Sequence, residues 1–319
     1  MKHRAGILGH GYMGRIRQSE LARRRDVEVA RVWHGQDDGW REVAEDPALD
    51  VIFVCLPNDL TCEAVCLALE AGKHVLAEKP PGRSVAEVRR MMAAEQRSGR
   101  VLKFAFNHRY HPAVRAAERR IAAGDLGPLV WARGRYGKPM DEGYATSWRA
   151  ERARAGGGIF LDQGIHMLDL VRAFSGPIAE VKAFASASLS TEVEDDLVAI
   201  LKSESGALAT LHSSHTQWPP TFSLELGFAE GSLSIDGLLS KSGRYGPERL
   251  RCCTRAEDRT ETFTRDDSWA LEIDELLACA RTGAPVRVGS SAEALELMAL
   301  VEAIYASAGV SPWTSSSST

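Results

Sequence analysis

The apolar positions of the first hundred residues form short continuous runs that alternate with amphipathic segments. The runs predict strands at 5–8, 27–32, 51–55, 74–77 and 101–106. The intervening segments predict helices that end near Arg24, extend over 61–71, and begin at a Ser84–Glu87 capping box. Continuous apolar strands between helices are typical of a parallel sheet that is covered on both faces. We therefore expect an α/β domain whose ligands bind beyond the carboxyl ends of its strands.

A glycine motif follows the first strand at once, as Gly9-His10-Gly11-Tyr12-Met13-Gly14. Gly9 allows a tight turn, Gly11 lets a pyrophosphate approach the backbone, and Gly14 lets the helix pack on the strand. An acid normally holds the ribose hydroxyls of NAD about 20 residues later. His34 stands there instead, and no arginine directly follows the strand, so the choice between NAD and NADP stays open. The predicted cofactor contacts are Gly9, Gly11, Tyr12, Met13, Gly14, His34, Leu56, Pro57, Asn58, Glu78, Lys79 and Asn107.

Two further segments carry candidate chemistry. Lys79 ends a buried strand before Pro80, in a chain that otherwise prefers arginine, and a lysine amine changes its pKa readily on burial. In 157–169, Asp162, His166 and Asp169 are spaced four and three residues apart, which on a helix places them on one face. An imidazole beside a carboxylate is a ready proton acceptor near neutral pH. A capped core helix with a satisfied histidine is the alternative interpretation.

The segments GHGYMG, AEKP and GGGIFLDQGIHMLD together resemble the Gfo/Idh/MocA oxidoreductase family. The resemblance implies an N-terminal Rossmann dinucleotide-binding domain at 1–120 and a C-terminal α+β domain at 121–310. That second domain would have a large, open, mostly antiparallel sheet, with a homodimer or homotetramer formed through it. We expect its strands at 133–136, 181–189, 197–202, 207–213, 222–228 and 231–235, closing helices at 269–282 and 291–308, and a disordered tail at 311–319.

The same resemblance implies hydride transfer between NAD or NADP and a secondary alcohol or ketone of a sugar or cyclitol. By it, His166 would exchange the hydroxyl proton, Lys79 would polarise the same oxygen, and Asp162 would orient His166 or grip a neighbouring hydroxyl. Two alternatives remain from other relatives: a glycoside hydrolase that uses bound NAD, and a non-enzymatic regulator that binds nucleotide. Lys79, Asp162 and His166, present together, argue against the regulator.

The segment from Arg133 to Arg154 has six basic against three acidic side chains, with aromatic residues between them. Because arginine binds phosphate in a bidentate fashion and aromatic rings pack on sugar faces, this loop favours an anionic sugar such as a nucleotide sugar. A solvated loop or a subunit contact is the alternative. The predicted substrate contacts are Lys79, Arg109, Tyr136, Tyr144, Trp148, Arg149, Asp162, His166 and Tyr245.

Charge and composition limit the remaining possibilities. The formal net charge of -4 leaves no overall basic surface for nucleic acid. No apolar run approaches the ~18 residues of a membrane span, and the N-terminus enters the glycine motif without room for a signal peptide. We therefore expect a cytoplasmic protein. The six cysteines lack zinc-site spacing, and His212 and His215 lack an obvious third ligand, so no metal site is predicted.

Overall fold

The computed structural model describes residues 2–35, 37–189, 192–240 and 242–310. The strands are β1 (His3–Leu8), β2 (Val27–Trp33), β3 (Val51–Val54), β4 (His74–Glu78), β5 (Leu102–Ala105), β6 (Leu129–Gly137), β7 (Ile178–Ser186), β8 (Asp196–Ser203), β9 (Leu208–Ser214), β10 (Thr221–Phe228), β11 (Gly231–Asp236), β12 (Glu248–Thr254) and β13 (Asp258–Phe263). The helices are α1 (Tyr12–Ala22), α2 (Trp40–Glu45), α3 (Asn58–Glu70), α4 (Val85–Ser98), α5 (Pro112–Ala122), α6 (Arg152–Ala155), α7 (Ile165–Ser175), α8 (Ser268–Thr282) and α9 (Ser291–Ser307).

The first sheet has the strand order β2-β1-β3-β4-β5, and every pair in it is parallel. All four residues of β3 are buried, as expected for a strand covered on both faces. The predicted Ser84 cap is present, since the Ser84 hydroxyl accepts a hydrogen bond from the Glu87 backbone amide at 3.3 Å, while the Glu87 carboxylate accepts from the Arg83 backbone amide at 2.7 Å. The parallel α/β domain predicted from the apolar runs is thus confirmed.

The chain divides into two compact units. The first comprises residues 1–106, 153–155 and 269–299, and the second comprises 107–152, 156–268 and 300–319. The structure therefore draws the boundary after Phe106, whereas the sequence-based division was at residue 120. Helix α8, expected to close the second domain, belongs to the first unit. Its Ile273, Leu276 and Leu277 are fully buried in the same core as Ile7 and Phe53, because they complete the apolar cover of the parallel sheet.

The second sheet has eight strands in the order β13-β12-β11-β10-β6-β9-β8-β7. All pairs are antiparallel except β6 with β9, which confirms the predicted large, mostly antiparallel sheet. Strands β12 and β13 were not predicted from the sequence. Strand β13, DRTETF, is almost wholly exposed, so it lacks the alternating apolar pattern that marks a half-buried strand.

Helix α7 packs closely on this sheet at Gly134 of β6. A Cβ atom there would lie 2.4 Å from Met167 Cγ, so only glycine permits this approach.

Within the described residues, no helix is long and apolar enough to cross a membrane. The predicted tail at 311–319 lies outside the described residues, and the cytoplasmic location stays a prediction.

Candidate active site

The three glycines of the first turn differ in what surrounds them. Gly9 has φ +93°, and a Cβ on it would lie 2.4 Å from the Cys55 carbonyl oxygen. A Cβ on Gly14 would lie 1.9 Å from the Gly9 carbonyl oxygen. A Cβ on Gly11 would meet no atom within 4 Å. Gly9 and Gly14 are therefore required by packing, whereas Gly11 keeps the amino end of α1 open. Tyr12 and Met13 begin that helix, whose free amides suit a pyrophosphate.

The end of β2 carries His34 where an acid was expected. The His34 ring lies 5.9 Å from the His10 ring, and His10 Nε2 hydrogen-bonds to Gln18 Oε1 at 2.7 Å. The nearby acid Asp37 accepts from the Trp33 indole at 3.3 Å and from the Gly39 amide at 3.1 Å. Arg41 pairs with Glu63. Because Asp37 and Arg41 already have partners, this edge does not distinguish NAD from NADP.

The carboxyl end of β3 leads directly into α3. Leu56 is buried, and Pro57 is the N-cap residue of the helix, so α3 begins at Asn58, three residues earlier than predicted. The Asn58 side-chain amide donates to the Ala155 carbonyl oxygen at 2.8 Å, and the Pro57 carbonyl oxygen accepts from Thr61 Oγ1 at 3.2 Å. These contacts hold the turn at the same edge of the sheet as the glycine motif.

A buried ion network holds the end of β4, just before Lys79. Arg17 of α1 donates to Glu78 at 2.8 Å and to Glu272 of α8 at 2.6 Å, and both Arg17 and Glu272 are fully buried. Burial alone would lower the pKa of Arg17, but the two carboxylates outweigh burial and raise it. Burial raises the pKa of Glu272. Lys79 itself is half-buried and precedes a cis peptide bond to Pro80.

The Asp162–His166 segment does not form the single α-helix that the spacing predicted. Residues Phe160–Gly164 form a π-helical turn, and α7 begins at Ile165. Single π turns occur frequently at functional sites. The turn is held by Glu194, which is buried on β8's amino side and accepts from the amides of Gly158 (2.8 Å) and Phe160 (3.1 Å). The helical face deduced from i, i+3 and i, i+4 spacing is therefore corrected to a π turn followed by an α-helix.

Glu194 also explains the glycines that precede the turn. A Cβ on Gly158 would lie 1.8 Å from the Glu194 carbonyl oxygen, and one on Gly157 would lie 2.2 Å from the Tyr305 hydroxyl. That hydroxyl donates to Glu194 at 2.8 Å. Burial raises the pKa of Glu194. No feature of the sequence near residue 194 indicated this role, because it depends on a contact over 34 residues.

His166 is buried, and its ring stacks on the ring of His108. The two centroids are 3.8 Å apart and the planes meet at 19°. His108 Nε2 lies 3.3 Å from the Tyr136 hydroxyl, while Arg109 lies 3.5 Å from Asp169. The structure thus brings together His166, Tyr136, Arg109 and Asp169, which the sequence analysis named. His108 was not among the residues named there.

Two more of the predicted substrate residues adjoin this group. The Tyr245 hydroxyl accepts from Gln163 Nε2 at 3.2 Å, and the rings of Tyr245 and Tyr136 lie 5.5 Å apart. Burial raises the pKa of Tyr245 to about 12, so this phenol is neutral and able to donate at neutral pH. Asp162 lies beside Gln163 and is half-buried. Lys79 belongs to the first unit, whereas Asp162 and His166 belong to the second.

Tyr144, Trp148 and Arg149 form a separate cluster. The Tyr144 hydroxyl donates to the Arg149 carbonyl oxygen at 3.3 Å, and the Arg149 guanidinium lies 4.5 Å from the centre of the Trp148 ring. The buried Tyr144 ring meets His215 edge-on at 4.5 Å. Burial raises the pKa of Tyr144.

The cations of the basic segment 133–154 are less available to an anionic substrate than the composition of the segment indicated. Arg133 and Arg135 lie on β6 rather than in a loop. Three of the six cations pair with a carboxylate: Arg133 with Glu225, Lys138 with Asp141, and Arg154 with Asp59. The Arg152 side chain donates to the Glu192 carbonyl oxygen. Half of the positive charge of the segment is thus compensated within the chain.

Comparisons with known proteins agree with this architecture. Residues 15–106 match the model of the GFO/IDH/MocA oxidoreductase family with an NAD-binding Rossmann fold, and residues 114–234 match the GFO/IDH/MocA C-terminal domain. The chain is 30% identical over 264 residues to D-xylose 1-dehydrogenase (NADP(+)) 2 of Haloferax volcanii, which covers 82% of this chain and 79% of that protein. The chain belongs to the GFO/IDH/MocA family.

One further comparison of sequence and one of structure give similar results. The 1,5-anhydro-D-fructose reductase of Ensifer adhaerens is 34% identical over 195 residues, which is 60% of this chain and 58% of that protein. The crystal structure of aldose-aldose oxidoreductase from Caulobacter crescentus, complexed with glycerol, superposes with a TM-score of 0.86 at 26% identity over 97% of this chain and 98% of that one.

Membership makes this chain an NAD(P)-dependent oxidoreductase acting on CH–OH groups. The glycine turn fits the cofactor, because Gly11 leaves an open approach to the amides of α1.

Among the residues that the structure describes, no group of three or more His, Cys, Asp or Glu side chains is arranged to hold a metal ion. The six cysteines are free thiols.

Proposed function

We propose that this enzyme transfers hydride between a nicotinamide cofactor and a secondary alcohol or ketone of a sugar, with His166 as the group that exchanges the hydroxyl proton. The observation that carries the proposal is the buried His166 ring, stacked on His108 at 3.8 Å and close to Tyr136. Imidazole is the side chain whose ordinary pKa suits proton exchange near neutral pH.

In the oxidative direction, His166 takes the hydroxyl proton of the substrate while the adjacent carbon loses hydride. The bound nicotinamide supplies the hydride acceptor, or the donor in the reverse direction. The Lys79 ammonium stabilises the negative charge that develops on the substrate oxygen. Asp162 orients His166 or holds a neighbouring hydroxyl group. The buried network of Arg17, Glu78 and Glu272 supports this assignment by fixing the strand end that carries Lys79.

A sugar substrate is supported by the relatives that act on D-xylose and 1,5-anhydro-D-fructose. The finer proposal of an anionic sugar, such as a nucleotide sugar, rests on Arg149. Three of the other cations pair with carboxylates, Arg152 donates to a backbone carbonyl oxygen, and Arg135 lies on β6. The Arg149 side chain is exposed and stacks on Trp148, an arrangement suited to phosphate beside a sugar face. Arg149→Gln tests it: the KM for nucleotide sugars should rise while the KM for free sugars stays constant.

The subunit arrangement belongs to the same proposal. The outward face of β7, β8 and β9 exposes Phe184 (83%), Ile200 (54%) and Leu208 (55%). Contiguous apolar surface on a sheet face is typical of a protein–protein interface. We infer that a second copy of the chain covers this face in a homodimer or homotetramer.

Absorbance of the reduced nicotinamide tests the reaction, with NAD and NADP each offered against free sugars, sugar phosphates, nucleotide sugars and polyols. We expect turnover in the native enzyme and a loss of at least about 10²-fold in His166→Ala. His74→Asn is the matched control, because His74 lies at the amino end of β4, opposite to the ligand-binding edge. Release of free sugar from a glycoside without net cofactor reduction would favour the glycosidase alternative. Cofactor binding without any turnover would favour the regulator.

A further inference from the structure

A chain of hydrogen bonds passes directly behind the His166 ring. Gln163 donates to the Tyr245 hydroxyl at 3.2 Å, and the Tyr245 hydroxyl bonds to that of Tyr136. From there the chain continues to His108 Nε2 at 3.3 Å. It therefore begins beside Asp162 on the π turn and reaches the residue that stacks on His166.

The chain continues beyond His108 to a buried carboxylate. His108 Nδ1 contacts Asn107 Oδ1 at 3.1 Å, and Asn107 Nδ2 lies 3.5 Å from His111 Nε2. His111 Nδ1 contacts Glu248 at 2.8 Å, where both side chains are almost wholly buried. Glu248 also accepts from the amides of Ala113 (2.7 Å) and Leu239 (3.1 Å). At the far end of this hydrogen-bond chain, each carboxylate oxygen of Glu248 is thus held by a backbone amide.

The donor and acceptor atoms in this series of hydrogen bonds indicate which group donates to which. A carboxylate oxygen and an amide oxygen only accept, so His111 donates from Nδ1 to Glu248 and His108 donates from Nδ1 to Asn107. His111 Nε2 then accepts from the Asn107 amide, which also donates to Ser268 at 3.3 Å. The Tyr136 hydroxyl, which is able to donate, lies 3.3 Å from His108 Nε2. With that hydroxyl as the donor, each ring carries one proton, on Nδ1.

We propose that His108 is a positioning residue for His166, held as a neutral ring by the chain to Glu248 so that its face fixes the plane of the His166 ring. This inference rests on the proposed function of His166. A neutral ring can stack at 3.8 Å on a His166 that gains and loses a proton, whereas a charged one would repel the protonated form. The stack thus limits the rotation of the His166 ring about its side-chain bonds.

The charged groups near the stack agree with a neutral His108. Glu248 lies beyond His111 and is engaged by it. Arg109, the residue after His108, lies 3.5 Å from Asp169 and 4.0 Å from Glu118, so its charge is compensated. The aromatic faces of Phe222 and Tyr136 cover His108 from β10 and β6, at 5.7 and 5.4 Å between ring centroids.

Nitrogen NMR of protein labelled with ¹⁵N-histidine tests the proposal without any substrate. We expect the His108 signal, identified by its loss in His108→Phe, to show a neutral ring with the proton on Nδ1 from about pH 6 to pH 8, around the ordinary histidine pKa. His108→Ala should shift and broaden the His166 signals, whereas His108→Phe, which keeps a flat ring, should leave them sharp. A charged His108 at pH 7, or unaltered His166 signals in His108→Ala, would overturn the proposal.

Kinetics then separates positioning from a general loss of structure. His108→Ala should lower kcat by about 10–100-fold, as expected when a proton acceptor is misplaced, while the substrate KM and cofactor Kd change little. His108→Phe should recover kcat to within several-fold of the native value. Equal losses in the two variants, or a rise in KM with unchanged kcat, would contradict it. If the native enzyme turned over no sugar, the proposed function would fail, while the NMR result would still decide the role of His108.

Discussion

His215 lies buried beside Tyr144, and within the described part of the chain neither of its ring nitrogens has a hydrogen-bond partner. Burial lowers the pKa of His215 from its ordinary value of 6.5. The unfolded chain therefore binds a proton near pH 6.5, whereas the folded chain does so only at lower pH. The native state consequently loses stability as the pH falls below about 6.5.

His215→Phe should remove this loss. The phenyl ring occupies a similar volume and leaves no buried nitrogen without a partner. We expect urea unfolding at pH 8 to show a variant at least as stable as the native protein, with an advantage that grows between pH 6.5 and pH 5. An advantage that stays constant over this range would show that His215 does not contribute through its protonation.

The network of Arg17, Glu78 and Glu272 joins α1, β4 and α8. Removing one partner of a buried ion pair leaves an uncompensated charge, which costs about 3–5 kcal/mol. We therefore expect Arg17→Met to lower the free energy of unfolding by about that amount. Adding Glu272→Gln to Arg17→Met should recover part of the loss, since it removes one of the stranded carboxylates. Chemical denaturation measures both, and a double variant less stable than Arg17→Met would contradict this account.

The glycine turn allows cofactor binding and folding to be separated. Gly11→Ala adds a Cβ that meets no protein atom within 4 Å, so the thermal midpoint should stay close to the native value. Its methyl group should nevertheless raise the cofactor Kd about tenfold or more, because it faces the path of the pyrophosphate. Gly14→Ala, the comparison variant, adds a Cβ 1.9 Å from a carbonyl oxygen and should lower the thermal midpoint. Unchanged cofactor affinity in Gly11→Ala would contradict the assignment of the turn.

Most elements of the first sheet were predictable because their signals are local. Apolar runs, the glycine motif and the Ser84 capping box each lie within a few residues of the structure they specify. The π turn was not predictable, since Glu194, which holds it, lies just before β8 and far away in the sequence. Strand β13 has almost no buried residue to mark it, and the position of α8 depends on which sheet needs its apolar face. Likewise, the role proposed for His108 becomes visible only through its stack with a residue on another element.

At the scale of the whole molecule, the outward face of β7, β8 and β9 exposes large apolar side chains that the described part of the chain does not cover. Phe184 lies directly opposite Val198 in the sheet, and both are exposed. If the proposed assembly forms, Phe184→Asp should shift it toward the monomer in sedimentation or light scattering, because the variant places a charge on the apolar face. Trp218→Ser is the control, since Trp218 is 79% exposed but lies outside the strands. A monomeric native protein would refute the proposed assembly.

The transfer of hydride itself is tested most directly with reduced nicotinamide that carries deuterium at both hydrogen positions of C4. Reduced cofactor labelled in this way would be incubated with a keto sugar, and the product sugar analysed by mass spectrometry. The account predicts that the native enzyme places the deuterium on the carbon of the new hydroxyl group and that His166→Ala yields almost no labelled product. Product formed without deuterium, or label incorporated equally well by His166→Ala, would contradict it.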